Sequence, residues 1–135
     1  DFRDTDFSDV EPDCVFCGEM DKNRIQDSNG SVFATKDKYP VTKGHHLIIP
    51  FRHTEDYFSM TEVERQDSTE LIRKLKRQIQ MSDTSVQGFN VGSNSGEVAG
   101  QTVAHAHIHL IPRRDGDTPH PKGGVRGVIP DKMDY

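Results

Sequence analysis

Cysteine is scarce in this chain: two residues in 135, both in the single stretch Cys14-Val15-Phe16-Cys17. One pair so close together excludes the disulfide framework of a small secreted domain. It points to a reducing, cytoplasmic setting in which redox or metal chemistry is the expected use of the thiols. No apolar run approaches the roughly 20 residues that cross a bilayer as a helix, so no membrane partner is expected. There is no basic block, and the formal net charge is −5, which argues against a broad electrostatic surface for nucleic acid. The opening segment, DFRDTDFSDVEPD, is acidic, the reverse of a secretory leader, and reads as an arm over residues 1–13. Internal repeats and low-complexity tracts are absent. Apolar residues supply only 32%, with a mean hydropathy of −0.76, so the core is modest and the length suits one domain.

The periodicities give a coarse architecture. Arg24–Thr35 reads as two short strands around Ser28-Asn29-Gly30, because Asn-Gly is a strong hairpin turn. His45–Pro50 is a short apolar strand ended by Pro. Thr61–Met81 is the one long helix: Thr61 and Glu64 have capping-box spacing, Leu71, Ile72, Leu75 and Ile79 form one apolar stripe, and Glu70 and Lys74 make an i,i+4 pair. Val86–Ser93 is a strand, followed by a Gly-rich loop over Asn94–Thr102. Residues 114–135, dense in Gly, Pro and Asp, read as an irregular tail over the fold. The expected class is α+β, one domain over 14–113, with about five antiparallel strands packed by one helix.

Histidine, in contrast, is concentrated. His105-Ala106-His107-Ile108-His109-Leu110 puts three of the seven histidines at every second position. On a strand, alternate side chains share a face, so the three rings would align while Ala106, Ile108 and Leu110 turn to the core. A row of surface imidazoles, a strand-borne metal site and nucleophilic catalysis all fit this pattern. Close imidazoles disfavour one another's protonation, and His107, flanked on both sides, is the ring expected to stay neutral. A neutral ring nitrogen can attack phosphorus, and the P–N bond it forms is labile to water. Gly96 and Gly100 in the preceding loop would let backbone amides approach phosphate oxygens.

The motif HAHIHLI matches the signature of the histidine triad superfamily of nucleotide hydrolases and transferases. Gly44–His53, GHHLIIPFRH, resembles that superfamily's second block, and Asn94–His105, NSGEVAGQTVAH, resembles its phosphate-binding approach to the triad. The resemblance implies a single domain of the histidine triad fold and a nucleotide hydrolase acting at the α-phosphate of a diadenosine polyphosphate-like or adenosine phosphoramidate-like substrate. It implies that His107 is the nucleophile and carries a nucleotidyl group. His109 would contact the α-phosphate or bridging oxygen, and His45 would supply a fourth imidazole; His46, its neighbour, turns away. Asn94, Gln101 and Thr102 fall where the family holds phosphate or leaving group, and Asp37 where it holds the ribose hydroxyls. Val15, Phe16 and Leu47 fall on the nucleobase pocket, although plain core is nearly as good a reading of them. Some members with CxxC close a structural zinc site with histidines at the positions of His53 and His105, giving Cys14, Cys17, His53 and His105 here. No organic cofactor is implied, and a homodimer is. The alternatives are a zinc hydrolase with the triad as ligands and a non-catalytic nucleotide sensor. The Pro121–Pro130 stretch, PKGGVRGVIP, departs from the tail of the phosphoramidase branch, and the long extra segments of the transferase branch are missing.

Overall fold

The computed structural model describes residues 14–19 and 22–135; the arm read over residues 1–13 lies outside them. Five strands form one antiparallel sheet: β1 (Ile25–Asn29), β2 (Val32–Lys36), β3 (His46–Pro50), β4 (Val86–Gly92) and β5 (Ile108–Arg114), in the order β1-β2-β3-β5-β4. The single long helix, α1 (Glu62–Ser82), joins β3 to β4 and packs on one face of the sheet. No helix among the described residues is long and apolar enough to cross a membrane.

Local chemistry accounts for these elements. The β1–β2 hairpin closes through Gly30 and Ser31, with Gly30 at φ +57°, one residue later than the sequence suggests. Asp67 of α1 accepts from the Ser31 amide at 3.0 Å and hydroxyl at 2.7 Å, which ties that turn to the helix. Thr61 and Glu64 form the expected capping box. The Glu70–Lys74 pair does not form. Lys74 instead meets Asp27 at 2.8 Å and Glu70 accepts from Asn29 at 3.1 Å, because the edge hairpin offers both partners across the interface.

Alternation divides the core into two layers. Val32, Ala34, Ile48, Ala106, Ile108 and Leu110 face α1 and meet Leu71 and Leu75, with Ile72 and Ile79 at the margin. Phe33, Leu47, Ile49 and Phe51 fill the opposite face, joined by Phe16 and Ile25. The central strands β2 and β3 are therefore covered on both sides, which is why His45–Pro50 reads as an unbroken apolar run. The register pairs Leu47 with His109, so the open face beyond the second layer is where the histidines emerge.

Beyond β5 the chain makes three short helical turns, Pro121–Gly123, Val125–Val128 and Pro130–Lys132. The tail is thus more regular than its composition suggests, its turns closed by backbone bonds such as Gly127 N–H to Gly124 and Lys132 N–H to Ile129.

Candidate active site

Strand β5 begins at Ile108, so only His109 of the three alternating histidines lies on it. His105 and His107 belong to the lead-in, which the Ala106 amide pins to the Thr54 carbonyl at 2.7 Å and the Ser93 hydroxyl pins to the His107 carbonyl at 2.7 Å. The alternation survives: Ala106 and Ile108 stay in the helix-side core, while His107 and His109 stand edge to face with ring centres 5.4 Å apart.

His107 and His45 are each held in one tautomer by a backbone partner that can only accept or only donate, and His45 passes its constraint on to His109. The His105 carbonyl accepts from Nδ1 of His107 at 2.8 Å, so neutral His107 presents a bare Nε2. The Val41 amide donates to Nδ1 of His45 at 3.1 Å, so neutral His45 carries its proton on Nε2. That proton faces Nδ1 of His109 at 2.9 Å, with Oδ2 of Asp37 3.3 Å away. His109 therefore accepts at Nδ1 and keeps its own proton on Nε2. Burial holds the pKa of His45 and of His109 below the usual imidazole value; Asp37 opposes the shift, and neighbouring imidazoles add to it. His46 is also held neutral by burial, and its Nδ1 donates to the Gly44 carbonyl, away from this group.

A hollow of about 410 Å³ opens over these rings. Its lining contains His45, His107, His109, Asp37, Asn94, Thr102, Val15, Phe16 and Leu47 together. Gln101 is not in the lining. Its amide donates to the Glu55 and Val103 carbonyls, at 2.7 and 3.0 Å, and accepts from the Gly96 amide at 2.8 Å. It thus folds the Gly-rich loop rather than facing the hollow. Sequence reasoning missed Lys38 and Tyr39, which also line it, and the Val41 amide and Ser93, which fix the rings; the turn-rich stretch before His45 was the available signal.

Next to the hollow, Cys14, Cys17, His53 and His105 bring four ligand atoms within 4.8 Å of one another. The Pro50 carbonyl takes the Nε2 proton of fully buried His105 at 2.8 Å, which turns the Nδ1 lone pair to the sulfurs of Cys14, at 3.4 Å, and Cys17, at 3.2 Å. Nδ1 of His53 lies 3.2 Å from Cys17. Burial, reinforced by the neighbouring imidazoles, pushes His105 down to about 4, so its ring is available as a ligand at neutral pH. This Cys/His group could bind a metal ion. The segment bearing His53 is braced from behind: Arg52 donates to both carboxylate oxygens of Glu64, at 3.1 and 2.8 Å, and Glu64 also caps α1. Phe16 sits between the two groups, its ring centre 5.7 Å from that of His105 and 5.1 Å from that of His107, edge to face with both.

Within the imidazole site, Asp37, His45 and His109 form a second group of metal-ligand composition. The Val41 amide argues against that use, since ligation through Nε2 of His45 would require a proton on Nδ1, where a donor already points.

An antiparallel sheet that lifts a row of tautomer-fixed imidazoles over an apolar hollow defines a histidine-based site on an α+β domain. The chain belongs to the HIT domain family, whose model matches residues 18–116. It is 33% identical over 126 residues to an uncharacterised HIT-like protein of Methanocaldococcus jannaschii, covering 89% of this chain and 95% of that one. It is 29% identical over 112 residues to an adenosine 5'-monophosphoramidase of Candida albicans, covering 78% and 73%. Among solved structures, a zinc-bound histidine triad family protein from Mycobacterium smegmatis superposes with a TM-score of 0.67 at 31% identity, covering 86% of this chain and 90% of that one.

Proposed function

We propose that the protein is a nucleotide hydrolase that cleaves a phosphoanhydride or phosphoramidate bond at the α-phosphorus. The observation that carries this is the tautomer of His107: with Nδ1 donating to the His105 carbonyl, Nε2 offers an unprotonated lone pair to the hollow. Nε2 attacks the α-phosphorus and a P–N bond forms. The bond to the leaving group breaks, and that group departs with the electron pair and takes a proton from water where its basicity requires one. Water then attacks the same phosphorus, the P–N bond breaks with its pair returning to Nε2, and a nucleoside monophosphate and a proton are released. His109, with Nε2–H directed away from His45, donates to an α-phosphate or bridging oxygen. His45 orients His109, and Asp37, its Oδ1 held by the Tyr39 amide at 2.8 Å, faces the ribose hydroxyls with Oδ2. Asn94 and Thr102 hold phosphate, and Val15, Phe16 and Leu47 wall the base. The kinship with an adenosine phosphoramidase supports the reaction class.

Zinc fits the Cys/His cluster. Tetrahedral zinc separates a sulfur ligand from a nitrogen ligand by roughly 3.5 Å, close to the 3.2–3.4 Å S···N distances here. Cys14, Cys17, His53 and His105 would complete the coordination and leave no open position, so the ion would supply structure rather than a bound hydroxide. Kinship with a zinc-bound family member supports this reading. A homodimer in the cytoplasm completes the proposal.

The test is a panel of dinucleoside polyphosphates and nucleoside phosphoramidates, run with wild type and His107→Asn. Turnover falling by about three orders of magnitude or more in the variant, with a nucleotidyl adduct trapped only on wild type, supports the reading. A chelation-sensitive activity without adduct would replace it with a metal-hydroxide mechanism. Metal analysis with Cys14→Ser as control tests the zinc.

A further inference from the structure

A separate hollow of about 380 Å³ lies at the C-terminal end of α1, on the helix side of the sheet. His46 alternates with Leu47 and shares the face of Ile48, so its ring turns away from His107 and His109. The register sets Lys36 and Leu110 opposite it on the two neighbouring strands. Lys43 closes the hollow from the β2–β3 connection, Arg114 from β5 and Asp83 from the end of the helix. Neither edge strand, β1 or β4, contributes to the lining, so pairing of sheets between two copies would not run through it.

One polar atom here is unspent. His46 is 7% exposed, and its Nδ1 donates to the Gly44 carbonyl at 2.6 Å, so Nε2 of the neutral ring is an acceptor. Nε2 has no hydrogen-bond partner among the described residues. No unpartnered side-chain nitrogen among them is sealed from solvent, so Nε2 opens into the hollow that the ring lines. A nearly buried acceptor without a donor carries a cost that a ligand can remove.

The free charge around that atom is positive. The ammonium groups of Lys36 and Lys43 have no carboxylate partner among the described residues. Arg114 and Asp83 are spent on each other at 2.8 Å; Arg114 also donates to the Thr42 hydroxyl and the Lys43 carbonyl, and Asp83 accepts from Ser85. Asp37, the other carboxylate of the lining, is committed to the Tyr39 amide and to His45. At the negative end of α1, the Ile79 carbonyl is taken by the Asp83 amide and the Ser82 hydroxyl. Two free cations thus flank a bare imidazole nitrogen in a chain of net charge −5. The matching ligand accepts from ammonium groups and donates to Nε2. Near neutral pH a phosphate group does both, because it still exchanges one proton and offers an O–H beside unprotonated oxygens. Carboxylate and sulfate only accept at that pH.

We propose that this hollow is a phosphate-binding site, in which a P–OH donates to Nε2 of His46 and the remaining oxygens accept from Lys36 and Lys43. The site goes beyond the hydrolase reading and does not need it: Asp37 and His45 form a wall between the two hollows, and the nucleotide lies on the other side of that wall. The phosphate is either free or the end of a small phosphomonoester.

The experiment titrates inorganic phosphate, at about pH 7 and constant ionic strength, into wild type, His46→Leu and Lys36→Gln/Lys43→Gln. Magnetic resonance follows the histidine rings and the Gly44 amide. In wild type the His46 ring and the Gly44 amide are expected to move together and saturate. The Kd read at Gly44 should rise about tenfold or more in His46→Leu and about fivefold in the lysine pair, and sulfate should bind wild type about tenfold more weakly than phosphate. Ribose 5-phosphate in a parallel titration identifies the source: tighter binding than inorganic phosphate assigns a carried phosphate, weaker binding a free one. Three results would each overturn the proposal: no movement of His46 by about 50 mM phosphate, movement that follows the His107 and His109 rings with one shared Kd in every protein, or equal affinity for sulfate. Lys36 and Lys43 are exposed, so the lysine pair decides the matter even where His46→Leu fails to fold; an unchanged Kd there removes the site.

Discussion

The Val41 amide donates to Nδ1 of His45 across 3.1 Å, and this one backbone bond sets the proton position on two rings. His45 must carry Nε2–H, and His109, accepting at Nδ1, must do the same. His107 takes the opposite tautomer because a carbonyl stands at its Nδ1. Nitrogen-15 spectra at pH 7.5 should therefore show Nε2–H on His45 and His109 and Nδ1–H on His107. An Nε2–H signal on His107 would remove its free lone pair and with it the proposed attack.

Metal removal should weaken nucleotide binding as well as loosen the N-terminal segment. Val15 and Phe16 lie between the two cysteines of the Cys/His group and also line the hollow over His107. Stripping the metal-loaded protein with a chelator is expected to raise the Kd for AMP about tenfold, equivalent to about 1.4 kcal/mol. Phe16→Ala should reproduce most of that loss with metal retained. Unchanged AMP affinity after verified metal loss would uncouple the cluster from the pocket.

Acid should destabilise the metal-free protein well above the carboxylate range. His45, His46, His105 and His109 all have folded-state pKa values below the ordinary 6.5, chiefly through burial. The unfolded chain takes up protons from about pH 6.5 downward while the folded chain refuses them. Stability is then fully present above that pH and falls as pH drops, by up to about 1.4 kcal/mol per pH unit for each ring kept neutral. Urea unfolding at pH 7.5 and 5.5 measures this, and His46→Gln should reduce the slope by one ring's share. A flat profile between those pH values would contradict the burial argument.

The helix supplies two graded tests. Leu71 is 1% exposed in the layer between α1 and the sheet, and Leu71→Ala should cost about 3 kcal/mol through lost burial and a residual cavity. Thr61→Ala removes the hydroxyl that accepts from the Glu64 amide at 3.0 Å and should cost about 1 kcal/mol. Equal losses would mean that α1 is not anchored through its apolar stripe.

Sequence patterns with a strong local cause were legible. The capping box, the apolar stripe of α1 and the alternation of Ala106, Ile108 and Leu110 each follow from the preference of a few adjacent residues, and each is present; the expected hairpin is present too, with its turn on Gly30-Ser31 rather than Asn29-Gly30. Non-local choices were not legible. Lys74 chose Asp27 over Glu70, and Gln101 gave its amide to the Glu55 carbonyl, because these partners come from distant parts of the chain. The strand start at Ile108 was hidden for the same reason: His105 and His107 alternate as a strand would, but their backbone is held by Thr54 and Ser93 rather than by a ladder. The Cys/His group could be suspected only through likeness to other chains, since 36 residues separate Cys17 from its contact with His53.

Glu64 carries a consequence of its own. One carboxylate closes the first turn of α1 by accepting from the Thr61 amide at 2.8 Å and grips Arg52, the neighbour of His53. Fraying of that helix end and loosening of the segment that bears His53 are therefore expected to occur as a single opening event. Amide protons at Glu64 and Arg65 are expected to exchange with deuterium in step with solvent entry to the Cys/His cluster, so that the start of the helix would act as a latch on that corner.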